Sequence, residues 1–230
     1  MKCADFFLLG QVLLLGGGNN MNYLEKHYTN EFFKLYYKKG IWRQTPWLGV
    51  TTLKCPFDLW IYQEILYETK PDWIIECGTF KGGSSLFLAS MCDLIDHGKI
   101  ITIDILDYKP EKTHPRITYL LGSSTSKEIE EKVKSMISEN ETVMVILDSN
   151  HSKAHVLNEL NIYSKLVTPG NYLIVEDTCV NAHPQMPYFG NGPLEAVQQF
   201  LTGNNQFIID RAREKFLLTF NPSGYLKRVK

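Results

Sequence analysis

The chain has 230 residues, 44% of them hydrophobic, with 24 basic and 25 acidic side chains. That is enough apolar material for one sizeable core. A formal charge of −1 gives no field for a polyanion, and KKG at 38–40 and the terminal KRVK are too short for a nucleic-acid surface, so no nucleic-acid partner is expected.

The opening MKCADFFLLGQVLLLGGGNN loosely imitates a signal peptide, but Asp5 and Gln11 interrupt it and no small-x-small cleavage site follows. The apolar run is too short to span a bilayer. Residues 1–20 are expected to form a flexible leader, with Met21 as an alternative start and no membrane association. Five cysteines, at 3, 55, 77, 92 and 179, form no CxxC pair, which fits structural thiols in a reduced, cytoplasmic chain.

Residues 21–70 read as an amino-terminal helical segment and 71–230 as the main domain. The aromatic-rich stretch Tyr23–Tyr37 could pack against a neighbour, and a homo-oligomer is expected. Trp42 and Trp47 read either as apolar walls or as anchors for that segment. From Pro71 onward, short apolar runs alternate with amphipathic ones. WIIE (73–76), KIITID (99–104), ITYLL (117–121), VMVILD (143–148) and YLIVE (172–176) read as buried strands, with helices over Ser84–Leu94, Ser126–Ser138 and His155–Leu166 between them. A further helix follows Gly192-Pro193, with proline at its first turn. FIID (207–210) and FLLTF (216–220) then stand too close together for a helical crossover, so this last pair is predicted antiparallel. The fold class is therefore α/β: a mostly parallel seven-stranded sheet with an antiparallel final strand pair and helices on both faces.

Acids stand at four strand ends: Glu76, Asp104, Asp148 and the Glu176-Asp177 pair. In open α/β sheets ligands bind outside the carboxyl ends of strands, so this rim is the predicted site. The turn CGTFKGGSS (77–85) is neither GxGxxG nor GxxxxGK[ST], which excludes a pyrophosphate loop. It offers glycines for a close backbone approach and a helix start with free N–H groups. With Asp104 closing the next strand, this suits a ligand with a carboxylate end and a ribose, such as S-adenosylmethionine.

IIECGTFKGGSSLFLA resembles the first motif of Rossmann-like S-adenosylmethionine-dependent methyltransferases. WLGV (47–50), KCPFDLWIYQEIL (54–66), LDSNHSKAHVLNEL (147–160), VEDT (175–178) and NPSGYLKR (221–228) resemble the cephalosporin hydroxylase family, which includes rhamnosyl O-methyltransferase relatives. Together these stretches run from about Trp42 to Arg228.

The resemblance implies that Glu76, Gly78 and Ser84 hold the methionine part of the cofactor, with Gly82 of the same turn also cofactor-binding, that Asp104 takes the ribose hydroxyls, and that Ser124 sits by the adenine. Lys54, with Asp58 and Gln63, would help cover the cofactor, although a surface amphipathic helix explains 58–68 equally well. Asp148, Glu176 and Asp177 would bind a divalent cation, with Asp148 shared between metal and cofactor. An all-carboxylate set suits Mg²⁺ first, then Mn²⁺ or Ca²⁺. His151 reads as the general base, where catechol-type enzymes carry a lysine, or as a helix-entry residue. Residues 179–192 read as an acceptor-binding lid or an oligomer contact. The expected activity is Mg²⁺-dependent O-methylation of a small polyhydroxylated acceptor, a sugar or a natural product. A non-haem iron oxygenase, which wants two imidazoles and one carboxylate, and a non-catalytic cofactor-binding protein are the alternatives.

Overall fold

A computed structural model of the chain describes residues 21–230; the expected leader, residues 1–20, lies outside that range. The amino-terminal helix α1 (Tyr23–Lys39) begins at a reciprocal cap: Asn22 accepts from the Glu25 N–H at 3.0 Å, and Glu25 accepts from the Asn22 N–H at 2.8 Å. A two-residue hairpin, β1 (Pro46–Trp47) with β2 (Val50–Thr51), leads into α2 (Pro56–Thr69), which starts on proline.

The main domain then alternates β3 (Trp73–Cys77), α3 (Gly83–Leu94), β4 (Lys99–Asp104), β5 (Ile117–Leu121), α4 (Lys127–Met136), β6 (Val143–Leu147), α5 (Lys153–Tyr163) and β7 (Tyr172–Val175). It closes with α6 (Pro193–Leu201), β8 (Phe207–Ile209) and β9 (Tyr225–Arg228). The seven strands of the large sheet lie in the order β5-β4-β3-β6-β7-β9-β8. The first five are parallel, and β9 runs antiparallel to both β7 and β8. Every residue of β3, β6 and β7 is buried, as central strands covered on both faces require. Ile74, Ile100, Met144, Ile146 and Ile174 pack under α2 and α3, while Ile75, Ile101, Val145 and Leu173 pack under α4, α5 and α6.

The expected strand at 216–220 is not formed; the last strand is 225–228 instead. The cause is Asp58, buried in the first turn of α2. Its carboxylate accepts from the Thr219 hydroxyl at 2.5 Å and the Phe220 N–H at 2.9 Å, so Asp58 takes the backbone group that a ladder would need. Phe220 then stacks on Phe33 of α1, with ring centroids 5.6 Å apart. The stretch becomes a seam holding the amino-terminal helix to the domain. The four cysteines among the described residues are buried and unpaired. No helix there is long and apolar enough to cross a membrane.

Candidate active site

Register sets the rim. Cys77 pairs with Ile103 on one side and with Leu147 on the other, and Leu147 pairs with Val175. Gly78, Asp104, Asp148 and Glu176 follow directly, so the strand-end acids reach one level of one edge. Gly78 is needed there. It has a φ of +106°, and a Cβ on it would stand 2.0 Å from the Asp148 carbonyl oxygen. Only a bare backbone lets the glycine turn lie against the end of β6.

Above this rim is a cleft of about 800 Å³ lined by Gly78, Phe80, Ser84, Asp104, Ser124, Asp148, His151 and Asp177, among others. Asp104 accepts from the N–H groups of Phe80 at 2.8 Å and Leu106 at 2.9 Å, which fix its carboxylate at the cleft wall. Gly82 caps α3 without a side-chain hydrogen bond, leaving the first turn of that helix open to a negatively charged group. Ser124 is buried and donates to Glu159 at 2.5 Å, and its carbonyl accepts from the Tyr163 hydroxyl at 2.7 Å.

Glu76 points from β3 toward α3. It is fully buried and accepts from Thr102 at 2.7 Å and from Ser85, while its Oε1 has no partner. Burial raises its pKa, partly offset by Lys54 and the surrounding hydroxyls. An unpartnered carboxylate oxygen beneath the glycine turn is the kind of group a ligand amine would satisfy.

The remaining acids form the other end of the cleft. The Asp177 carboxylate lies 3.3 Å from His151 Nε2, and Asp148 lies 3.7 Å from the same nitrogen. Ligand atoms of Asp148, His151 and Asp177 all fall within 4.8 Å of one another, a spacing one metal ion could bridge. Asp177 holds a left-handed backbone, φ +54°, and its N–H donates to Asn221 at 3.1 Å. Burial raises the Asp177 pKa, and His151 opposes that rise.

Glu176 faces another way. It accepts from Lys54 Nζ at 2.5 Å and from the Tyr62 hydroxyl at 2.8 Å, and Lys54 also reaches Asp148. Burial and the charge of Asp148 push the Glu176 pKa well up, with Lys54 and Tyr62 opposing. For Lys54, burial alone would lower the pKa, but Asp148, Glu176 and Glu76 overcome it and raise the ammonium above its ordinary value.

Seven of the sequence candidates therefore line one cleft: Gly78, Ser84, Asp104, Ser124, Asp148, His151 and Asp177. Glu76, Glu176 and Lys54 lie buried behind it. Gly82 turns the chain at φ +81°. Asp58 serves the 216–220 seam. Sequence reasoning missed the ammonium of Lys54 among the carboxylates and the brace of Tyr62 and Asn221, whose side chains bond at 3.2 Å. No local signal marks them, since their partners lie more than ninety residues away. Trp42 both lines the cleft and packs edge-on against Phe220, at 5.9 Å between centroids. From the 179–192 loop, Val180, Met186 and Phe189 reach the cleft, and Met186 accepts from the Tyr37 hydroxyl at 3.2 Å.

The family model described as "Rhamnosyl O-methyltransferase/CmcI" matches residues 39–229. A rhamnosyl O-methyltransferase of Mycobacterium leprae is 39% identical over 208 residues, covering 87% of this chain and 90% of that protein. Its counterpart in Mycobacterium bovis is 37% identical over 208 residues, covering 87% and 84%. Among solved structures, CmcI with Mg and SAM superposes with a TM-score of 0.64 at 20% identity, covering 82% of this chain and 78% of that one. The apo form of CmcI gives 0.64 at 21% identity, covering 82% and 77%. Those two superpositions establish the shared fold. The chain belongs to the rhamnosyl O-methyltransferase/CmcI family.

Proposed function

We propose that this O-methyltransferase transfers the methyl group of S-adenosylmethionine to a sugar hydroxyl, with Mg²⁺ at the end of the cleft where Asp148 and Asp177 converge. The observation that carries this reading is the single cleft joining the glycine turn and Asp104 to Asp148, His151 and Asp177. The residues fit the nucleotide on two counts. Glu76 offers an unpartnered buried oxygen toward an amine, and the first turn of α3 offers free amides toward a carboxylate. They fit the ion because carboxylate oxygens converge in a partly buried site, and Mg²⁺ prefers oxygen to imidazole nitrogen. Asp148 and Asp177 would hold it, and Glu176 would join them only by releasing Lys54.

When bound, the nucleotide supplies the electrophilic methyl and the ion polarises the acceptor hydroxyl. The chain's own residues do the rest. Asp104 and the glycine turn fix the nucleotide end, so the reacting atoms meet in line. His151, left free of the ion, takes the hydroxyl proton at Nε2. Trp42, Phe189 and Met186 form an apolar wall beside that point, against which the C–H face of a sugar can lie while its hydroxyls turn to the carboxylates. The two-histidine set of an iron oxygenase is not matched, because the convergent cluster contains one imidazole.

The test is methyl transfer to a panel of rhamnose-bearing and other glycosides, catechols and simple alcohols, with and without chelator. Transfer to a sugar hydroxyl that collapses in chelator is expected. Transfer confined to catechols, or unchanged in chelator, overturns the acceptor or the metal assignment respectively. His151→Ala is expected to slow transfer on the order of 10²–10⁴-fold while nucleotide binding stays intact.

A further inference from the structure

Lys54 has no role in the chemistry just described, yet it is a long cation buried almost completely. Its side chain is 4% exposed, and it reaches across the strand ends from the residue before the Cys55 cap of α2. There its Nζ touches Asp148 and, at 2.5 Å, Glu176. Burying a long cation demands partners that hold it fully. One of those partners, Asp148, belongs to the convergent cluster of the proposed ion site, and the other, Glu176, is held beside it.

We propose that Lys54 is a built-in counter-ion that occupies the carboxylate cluster in the metal-free protein and sets how tightly a divalent cation is held. The proposal rests on the Mg²⁺ reading above. Counting formal charges, Asp148, Glu176 and Asp177 contribute three negative and Lys54 one positive, which leaves two, the charge of one divalent ion. An ammonium at this distance also repels an incoming cation across a low-dielectric gap. It holds Glu176 to the side as well, backed by the Tyr62 hydroxyl at 2.8 Å. Lys54 is thus a positioning residue with two effects. It bridges Asp148 and Glu176 and holds them in place when no ion is bound, and it keeps the ion exchangeable when one is.

Mg²⁺ is titrated calorimetrically into chelator-stripped full-length wild type, Lys54→Gln and Lys54→Arg, without nucleotide. Removing the positive charge is expected to tighten Mg²⁺ at least tenfold and to enlarge the melting-temperature rise that saturating Mg²⁺ produces. Lys54→Arg, which keeps the charge, is expected to stay near the wild-type affinity. A residue with a merely structural role would weaken the site when replaced, so tighter binding is its distinguishing sign. Trivalent Tb³⁺, read by luminescence, is expected to gain more than Mg²⁺ in Lys54→Gln. Should the single variant not fold, Lys54→Met combined with Glu176→Gln removes both charges of the pair, and it should bind Mg²⁺ at least as tightly as Glu176→Gln alone. Unchanged or weaker Mg²⁺ binding in the neutral variants, beside a clear wild-type response, overturns the role of Lys54 and leaves the metal reading standing. Absence of any response in wild type and variants alike overturns the metal reading itself.

Discussion

The loop that follows β7 carries carboxylates at both of its ends, and the two ends treat them in opposite ways. At the start, Glu176 is buried against the Lys54 ammonium and the Tyr62 hydroxyl, Asp177 is half-buried beside His151, and burial outweighs these partners and raises both pKa values. Beyond its end, in the first turn of α6, Glu195 is surrounded. Its Oε1 meets Asn181 Nδ2 at 2.7 Å and His183 Nε2 at 2.9 Å, and its Oε2 accepts from the Gly192 N–H at 2.7 Å. Burial would raise the Glu195 pKa, but those donors outweigh it and hold the carboxyl at about 2. A carboxylate supplied with donors is a staple that makes the fold cheaper. One whose desolvation outweighs its partners, beside an open cleft, raises the energy of the empty protein and is kept for what binds there.

Neutralising an acid in the first region should therefore damage chemistry and spare stability. Asp177→Asn is the sharpest form, because asparagine tolerates the left-handed backbone at φ +54°. Methyl transfer is expected to fall on the order of 10³-fold, about 4 kcal/mol of transition-state stabilisation. The folded-state pKa of Asp177 lies above its unfolded value. Any stability it contributes is therefore fully present below that unfolded value, and is lost as pH rises through the folded one. At pH 7–8 the asparagine variant should then melt at or above the wild-type temperature. A clear drop in melting temperature with activity retained would show that Asp177 is a staple after all.

The glycine turn and the strand-end acids that line the cleft were far more legible in the sequence than the buried network behind them, for a physical reason. The glycine turn and the acids closing β3 and β4 are local features, and the alternation of strands and helices fixes which rim they reach. The seven-stranded sheet with its antiparallel end follows from the same pattern, although the last strand falls at 225–228. FLLTF satisfies strand propensity, but the Asp58 side chain captures the Phe220 N–H from another element. Lys54, Tyr62 and Asn221 were illegible as a network for the same reason. Each is an ordinary residue on its own segment and becomes part of the site only through contacts across the fold.

Asp104 tests the legible end, and it lies between the two extremes. Backbone donors from Phe80 and Leu106 hold it, yet it also faces the cleft. Asp104→Ala removes the acceptor proposed for a pair of ribose hydroxyls and is expected to weaken S-adenosylhomocysteine by about 10–100-fold, the cost of one or two charged hydrogen bonds. Calorimetric titration reads this directly. Mg²⁺ affinity measured without nucleotide should not move, since Asp104 is outside the convergent metal cluster. Loss of Mg²⁺ binding in this variant would mean that the two ends of the cleft are not separable.

The smallest effect belongs to the staple. Glu195 has a folded pKa of about 2, below the ordinary carboxyl value of 4.5. A depressed carboxyl contributes stability that is present above its unfolded pKa and disappears as pH falls through the folded one. Glu195 is partly open to solvent, 19% exposed at its side chain, and screening reduces the contribution to about 1 kcal/mol. Glu195→Gln keeps the shape and one acceptor oxygen but loses the charge. It should lower the melting temperature at pH 7 by about 2–4 °C, as expected for a domain of this size. The difference from wild type should shrink as pH is lowered from about 4.5 toward 2, where the wild-type carboxyl protonates. Methyl transfer well below the melting range should stay near wild type, because Glu195 acts at the foot of the loop, away from the residues that line the cleft. If Glu195→Gln instead abolished transfer while leaving the melting curve in place, the two ends of the loop would share one role. The distinction between carboxylates whose donors outweigh burial and those whose donors do not would then fail for this protein.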